Sequence, residues 1–174
     1  MSSAILRLLL LSIVLLGSGC SSYERRWNAA QSPVHTTDPF VGSYAGKWES
    51  VRYKAATGKL WCILTQQAPD LYLAEFRATW HGIFSSTHSV TLRVIERTKA
   101  ADRPIAAFTG AAEIRMWIGS GRYHCTGKMS PTGFGAEYDA DYDRGRFELK
   151  RIPPPRKTPK RASVREQARH RLSS

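Results

Sequence analysis

Between residues 44 and 151 the apolar side chains recur at every second position, not every third or fourth. In YLAEFRATW (72–80) Tyr72, Ala74, Phe76, Ala78 and Trp80 share one face, and in FGAEYDADY (134–142) Phe134, Ala136, Tyr138, Ala140 and Tyr142 share one. The positions between them carry Glu75, Arg77, Glu137, Asp139 and Asp141. A period of two with one wet face marks strands half buried against a core. The same alternation predicts strands over 44–53, 59–66, 71–80, 89–98, 105–116, 122–128, 134–142 and 146–151. Turn residues join them, among them Ala56-Thr57-Gly58, Gly119-Ser120-Gly121 and Asp143-Arg144-Gly145. Joints this short make neighbours antiparallel. The expected fold is all-β, about eight strands in a meandering barrel or a flattened sandwich, with the barrel preferred because closure removes exposed edges.

The strands also repeat. The two aromatic-alanine segments align at an offset of 62, GKLWC (58–62) aligns with GRYHC (121–125) at 63, and YAGKWE (44–49) aligns with FTGAAE (108–113) at 64. Gly82-Ile83-Phe84 aligns with Gly145-Arg146-Phe147, again at 63. Matches in order at nearly constant spacing predict two copies of a four-strand unit, residues 44–98 and 105–151.

Outside this domain the pattern changes. Residues 1–20, MSSAILRLLLLSIVLLGSGC, place a short apolar run after Arg7 and small residues before Cys20, as in an export signal. The run is about half the roughly 20 apolar residues that a spanning helix needs. The small residues before Cys20 resemble the lipobox of bacterial lipoproteins. That resemblance implies that Cys20 becomes an acylated, palmitate-type membrane anchor and the new N-terminus. Ser21 after it resembles the address of the periplasmic face of a Gram-negative outer membrane. Residues 21–43 have no sustained periodicity and are expected to be a flexible linker. Residues 152–174 open on Ile152 and three prolines and continue with almost no large apolar side chains, so a disordered tail is expected.

Charge sharpens this division. The chain holds 26 Lys and Arg against 14 Asp and Glu, a net +12, and much of the excess lies after residue 150. Arg156, Lys157, Lys160, Arg161, Arg165, Arg169 and Arg171 form a dispersed cationic segment suited to polyanions. In a cell envelope those are anionic lipid, lipopolysaccharide and cell-wall polymers, and nucleic acid is disfavoured as a partner. Each base near such a surface contributes about 1 kcal/mol at most.

Few residues carry recognisable chemistry. Cys62 and Cys125 occupy matched positions on inward-facing parity. In an oxidising compartment they are candidates for a disulfide worth roughly 3 to 4 kcal/mol. The competing outcome is two buried free thiols on opposite walls of a round barrel, beyond the roughly 7 Å reach of a bridge. DADYDRG (139–145) begins like a calcium loop, but Arg144 stands where glycine is needed and Lys150 where a bidentate glutamate is needed. His81, His88 and His124 have no metal-ligand spacing. No nucleophile elbow and no phosphate-binding loop occurs in the sequence. A non-catalytic protein without cofactor or metal is expected, with an enzyme of unknown class as the last alternative.

The inward aromatics are the best binding candidates: Tyr72, Phe76, Trp80, Tyr123, Phe134, Tyr138 and Tyr142, with alanines between them. An eight-stranded barrel either fills with side chains or keeps room for one small ligand. A filled interior is expected, and with it a non-catalytic structural or interaction module of the cell envelope; the alternative is a cavity that carries a small apolar ligand. Gly46-Lys47-Trp48 on the first strand and the strand count resemble lipocalin-type (calycin-like) barrels. The repeat as a whole resembles uncharacterised bacterial envelope lipoproteins, which implies a fold and an address.

Overall fold

The computed structural model describes residues 20–31, 37–53, 56–80, 84–116 and 119–154. Eight strands follow one another: β1 (Gly42–Ser50), β2 (Thr57–Ala68), β3 (Leu71–Trp80), β4 (Phe84–Ala100), β5 (Arg103–Met116), β6 (Gly119–Ser130), β7 (Gly133–Ala140) and β8 (Arg144–Arg151). Each pairs antiparallel with the next, and β8 returns to β1 with Trp48 opposite Phe147, so the sheet is a closed barrel and not a sandwich. The matched segments fall on equivalent strands. Cys62 of β2 stands opposite Phe76 of β3, and Cys125 of β6 stands opposite Tyr138 of β7.

Strand parity sends rings inward and charges outward. Tyr72, Ala74, Phe76 and Ala78 of β3 are buried, as are Phe134 and Ala136 of β7, while Lys47, Lys59, Glu137 and Arg146 face out. An apolar interior under a charged exterior is the reverse of a transmembrane barrel, whose outer band is apolar. Among the described residues no helix is long and apolar enough to cross a membrane.

The strands deliver two unlike ends. One carries the tight joints at 69–70, 101–102 and 131–132 together with the start of β1. Here residues 37–41 fold in as a plug, with Phe40 fully buried over the core. Asp38 holds the plug in place: its Oδ1 accepts from the Phe40 amide at 2.8 Å and its Oδ2 from the Tyr72 hydroxyl at 2.6 Å. Arg151 donates to the carbonyls of Pro39 and Val41 on the same segment. The other end carries the last residues of β1, β3, β5 and β7 and the first of β2, β4, β6 and β8, with residues 51–53 and 141–143 beside them among the described residues.

Residues 20–31 depart from the flexible linker expected of them. They form a helix, α1 (Cys20–Ala30), docked on the outer wall. Tyr23 and Trp27, four apart, share one face and stack at 6.2 Å, and Tyr23 is buried. Beneath them Ile63, an outward residue of β2, is buried as deeply as the core. Arg26 pairs with Glu75 at 3.0 Å and Glu24 pairs with Arg77. Because residue 24 lies by 77 and residue 26 by 75, the helix runs antiparallel to β3. Its Cys20 end therefore points away from the plug, and its Ala30 end leads toward it. The export segment and the tail from residue 155 onward, with all seven of its named bases, lie outside the described residues.

The disulfide is a second correction. Cys62 and Cys125 are both buried and both free. Their strands, β2 and β6, are four apart in a ring of eight, so the two sulfurs belong to opposite walls, where the β-sheet cannot bring them within bridging range. Burial pushes the Cys125 thiol up to about 12 and the Cys62 thiol well above its usual range, so neither is a ready thiolate. Alkylating the unreduced protein before and after denaturation, then mapping the peptides, checks this. Both cysteines are expected to be unreactive when folded and fully alkylated once unfolded. A cross-linked peptide joining them would contradict the placement.

Candidate functional site: a ligand cavity

The plugged half of the barrel is filled. Phe134 meets Tyr44 edge-on at 5.1 Å and Phe108 at 6.1 Å, and Phe40 meets Tyr72 at 6.3 Å. Leu64, Val90, Leu92 and Met129 close the gaps with essentially no exposure. Midway, Phe76, Phe134 and Phe147 lie within 5.5 to 6.3 Å of one another and form a floor across the barrel.

Beyond that floor the packing stops, and a cavity of about 380 Å³ opens among Trp48, Leu60, Phe76, Ala78, Trp80, His88, Ile114, Tyr123, Tyr138 and Phe147. The cause is compositional. Ala78 is small where a larger residue would reach the axis. Tyr123 and Tyr138 stack at 5.7 Å with 17° between their planes, and Trp48 meets Trp80 edge-on at 6.0 Å. The volume falls within the roughly 300 to 1,000 Å³ of small-molecule sites.

Polar atoms anchor the walls. Trp48 Nε1 donates to the Thr79 carbonyl at 3.1 Å across β2. Only glycine permits this at position 58, since a Cβ there would lie 1.7 Å from that carbonyl oxygen and 2.5 Å from the indole nitrogen. Near the mouth, Asp143 Oδ2 accepts from the Tyr138 hydroxyl at 2.9 Å, and its Oδ1 accepts from Ser50 Oγ at 2.6 Å and the Arg144 amide at 2.8 Å. Burial, and then this bond to Asp143, raise the Tyr138 phenol well above its usual range. Burial does the same to Tyr123.

His88 stands apart. Its ring stacks on Phe76 at 5.3 Å and tilts toward Tyr123 at 6.0 Å, forming part of the cavity wall. Its Nδ1 is buried and has no hydrogen-bond partner among the described residues. Burial lowers its pKa from 6.5 to about 4, so the imidazole is neutral at pH 7. An orphaned buried polar atom costs about 1 to 3 kcal/mol, a penalty that a purely structural wall residue would not need.

Of the seven aromatics singled out in the sequence, Phe76, Trp80, Tyr123, Tyr138 and Tyr142 converge on the cavity, whereas Tyr72 and Phe134 belong to the filled half. The participants missed include His88, Trp48 and Asp143. His88 was legible: it continues the inward parity of Val90 and Leu92. Trp48 was legible too, two residues beyond Gly46 on an inward position. Asp143 was not, because its role depends on where the β7–β8 turn folds back. His124 faces solvent, and His81 lies outside the described residues. Among the described residues no three His, Cys, Asp or Glu side chains come together to hold a metal.

Fold and site together define a closed, eight-stranded antiparallel β-barrel with one filled end and one hollow end. No family model matches the chain, and no curated protein sequence matches it. Among solved structures it is similar to a de novo designed fluorescence-activating β-barrel, with 12% identity and a TM-score of 0.44, over 72% of this chain and 98% of that one.

The pH dependence of stability checks the environment of His88. Its pKa is lower folded than unfolded, so the unfolded chain takes up the proton first, and stability present above pH 6.5 is lost as pH falls toward 4. The slope from this group approaches about 1.4 kcal/mol per pH unit. His88→Phe removes both the orphan atom and this term. Its urea midpoint is expected to match or exceed wild type at pH 7 and to gain on it steadily between pH 6.5 and 4. Parallel curves for the two proteins across that range would contradict the buried, neutral imidazole.

Proposed function

We propose that this protein is a non-catalytic lipoprotein of the cell envelope, anchored through Cys20, whose barrel holds one small, mainly apolar molecule in its hollow half. The cavity itself carries the reading. A filled interior would have favoured a purely structural or interaction module, whereas a volume of about 380 Å³ is well over twice the roughly 150 Å³ of engineered cavities that admit benzene. The walls fit such a guest: aromatic side chains supply contact, Ala78 supplies room, and Trp48 Nε1 and the Tyr138 hydroxyl are already engaged within the protein.

The chemistry suits holding a molecule and not transforming it. His88 is neutral and has no acidic partner among the described residues, the Tyr123 and Tyr138 phenols are held protonated, and the Cys62 and Cys125 thiols are buried and protonated. The anchor rests on the lipobox resemblance. Acyl chains contribute about 0.8 kcal/mol per buried methylene, and the basic tail adds attraction to anionic lipid or lipopolysaccharide. A periplasmic location on the outer membrane of a Gram-negative bacterium follows from the same resemblance.

Two measurements test this. Titration with the apolar fluorophore N-phenyl-1-naphthylamine is expected to give one saturable site. Filling the hollow with Ala78→Trp, or separately with Ile114→Trp, is expected to weaken binding about tenfold or more, a loss of about 1.4 kcal/mol. Undiminished binding in both folded variants would overturn the carriage reading. Intact mass of protein purified from its membrane is expected to begin at an acylated Cys20. A mature chain beginning unmodified at another residue would remove the anchor.

A further inference from the structure

The hollow end has a second property, which concerns the route by which a ligand reaches it. Three of the four large apolar side chains most exposed on the described surface lie at the end of the barrel that holds the cavity mouth: Val51 and Tyr53 just after β1, and Phe84 at the start of β4. The fourth, Ile95, lies elsewhere, in the second half of β4 toward the joint at 101–102. The Arg52 guanidinium sits 5.6 Å over the Tyr53 ring, and Arg115, Arg122 and Arg144 extend from the same rim. Against them the rim sets Asp141, paired with Arg122 at 3.9 Å, Asp143, already engaged by Tyr138 and Ser50, Asp139, which lines one surface hollow with Arg52, Arg122 and Arg144, and Glu113, opposite Arg122 in register. Exposed aromatic and aliphatic residues interleaved with arginines suit the boundary between phospholipid headgroups and acyl chains. The direction of α1 agrees independently: its pairing with Glu75 and Arg77 turns the Cys20 end toward this rim and away from the plug.

We infer that the cavity mouth is the membrane-contacting end of the barrel, resting on anionic phospholipid, and that the bound molecule is an apolar constituent of that bilayer. The identity of the ligand rests on the carriage reading given above, and the part of the orientation argument that uses α1 rests on the anchor at Cys20, whereas the rim residues stand without either. With the rim at the headgroup level, an acyl chain or ring leaving the bilayer meets Trp80 and Tyr142 at the mouth and passes into the hollow without crossing water. The plugged end faces away from the membrane, where Phe40 and Asp38 seal it.

The buried native thiols make the test direct, because labels go to introduced cysteines. Full-chain protein carrying an environment-sensitive fluorophore at Val51→Cys, Phe84→Cys or Ile95→Cys is reconstituted into vesicles of phosphatidylethanolamine and phosphatidylglycerol containing a lipid-borne nitroxide quencher. Insertion of the rim by about 5 to 10 Å is expected to quench the labels at 51 and 84 about threefold more than the label at 95. Arg52→Glu combined with Arg144→Glu is expected to reduce that difference. Equal quenching at all three positions, or stronger quenching at 95, would overturn the orientation while leaving fluorophore binding in the hollow intact. An unchanged quenching profile in a protein whose fluorophore binding fails would instead uphold the orientation and remove the ligand.

Discussion

Closure of the sheet, made by β1 pairing with β8, is the constraint on which everything else depends. An open antiparallel sheet leaves edges and lets its buried face rest on some other layer. A closed one has only its own inward side chains with which to fill its interior. Each strand must therefore alternate, and the inward set must sum to the available volume. Over the plugged half it does: Tyr44, Phe108 and Phe134 interlock edge-to-face, and Leu64 and Met129 fill what the rings leave. Over the other half the inward set falls short by the volume of a small molecule.

The two halves differ for reasons that lie in the sequence. At the plug, the chain before β1 contributes Phe40 as an extra core residue, and Asp38, Tyr44, Tyr72 and Arg151 fix it by hydrogen bonds. At the mouth no comparable segment folds in among the described residues. The wall there is stiffened from within by the Trp48 bond to Thr79 and the Tyr138 bond to Asp143, each of which passes over a glycine. A Cβ at Gly145 would lie 2.7 Å from the Tyr138 hydroxyl. A wall held by its own polar contacts can remain standing around an empty space, whereas a wall of unsupported apolar side chains would collapse inward to bury its surface.

Most of the architecture was legible because period-two patterning reports directly on which side chains share a face. Strand number, order, direction and the inward aromatics follow from it, as does the correspondence of Cys62 with Cys125. Periodicity says nothing about distance across a barrel, and so the cysteines, matched in register, stand on walls that cannot be bridged. Helix α1 was missed because its apolar signal is a single pair, Tyr23 and Trp27, and its remaining contacts are ion pairs to an outer wall that exists only once the barrel has closed. The cavity was legible as an alternative only. Its presence depends on the sum of side-chain volumes at one level of the barrel, and the partition of seven aromatic candidates into five at the hollow and two in the packed half is a property of strand stagger.

The claim at the centre is that one interior contains a dense half and a vacant half. Xenon dissolved at increasing pressure is the most direct probe, since it enters apolar voids and shifts the methyl resonances that line them. With methyl-labelled protein, the signals of Leu60, Ala78 and Ile114 are expected to move together and saturate, while those of Leu64, Val90 and Met129 stay fixed. Shifts spread evenly over both sets, or none in either, would contradict the division of the barrel.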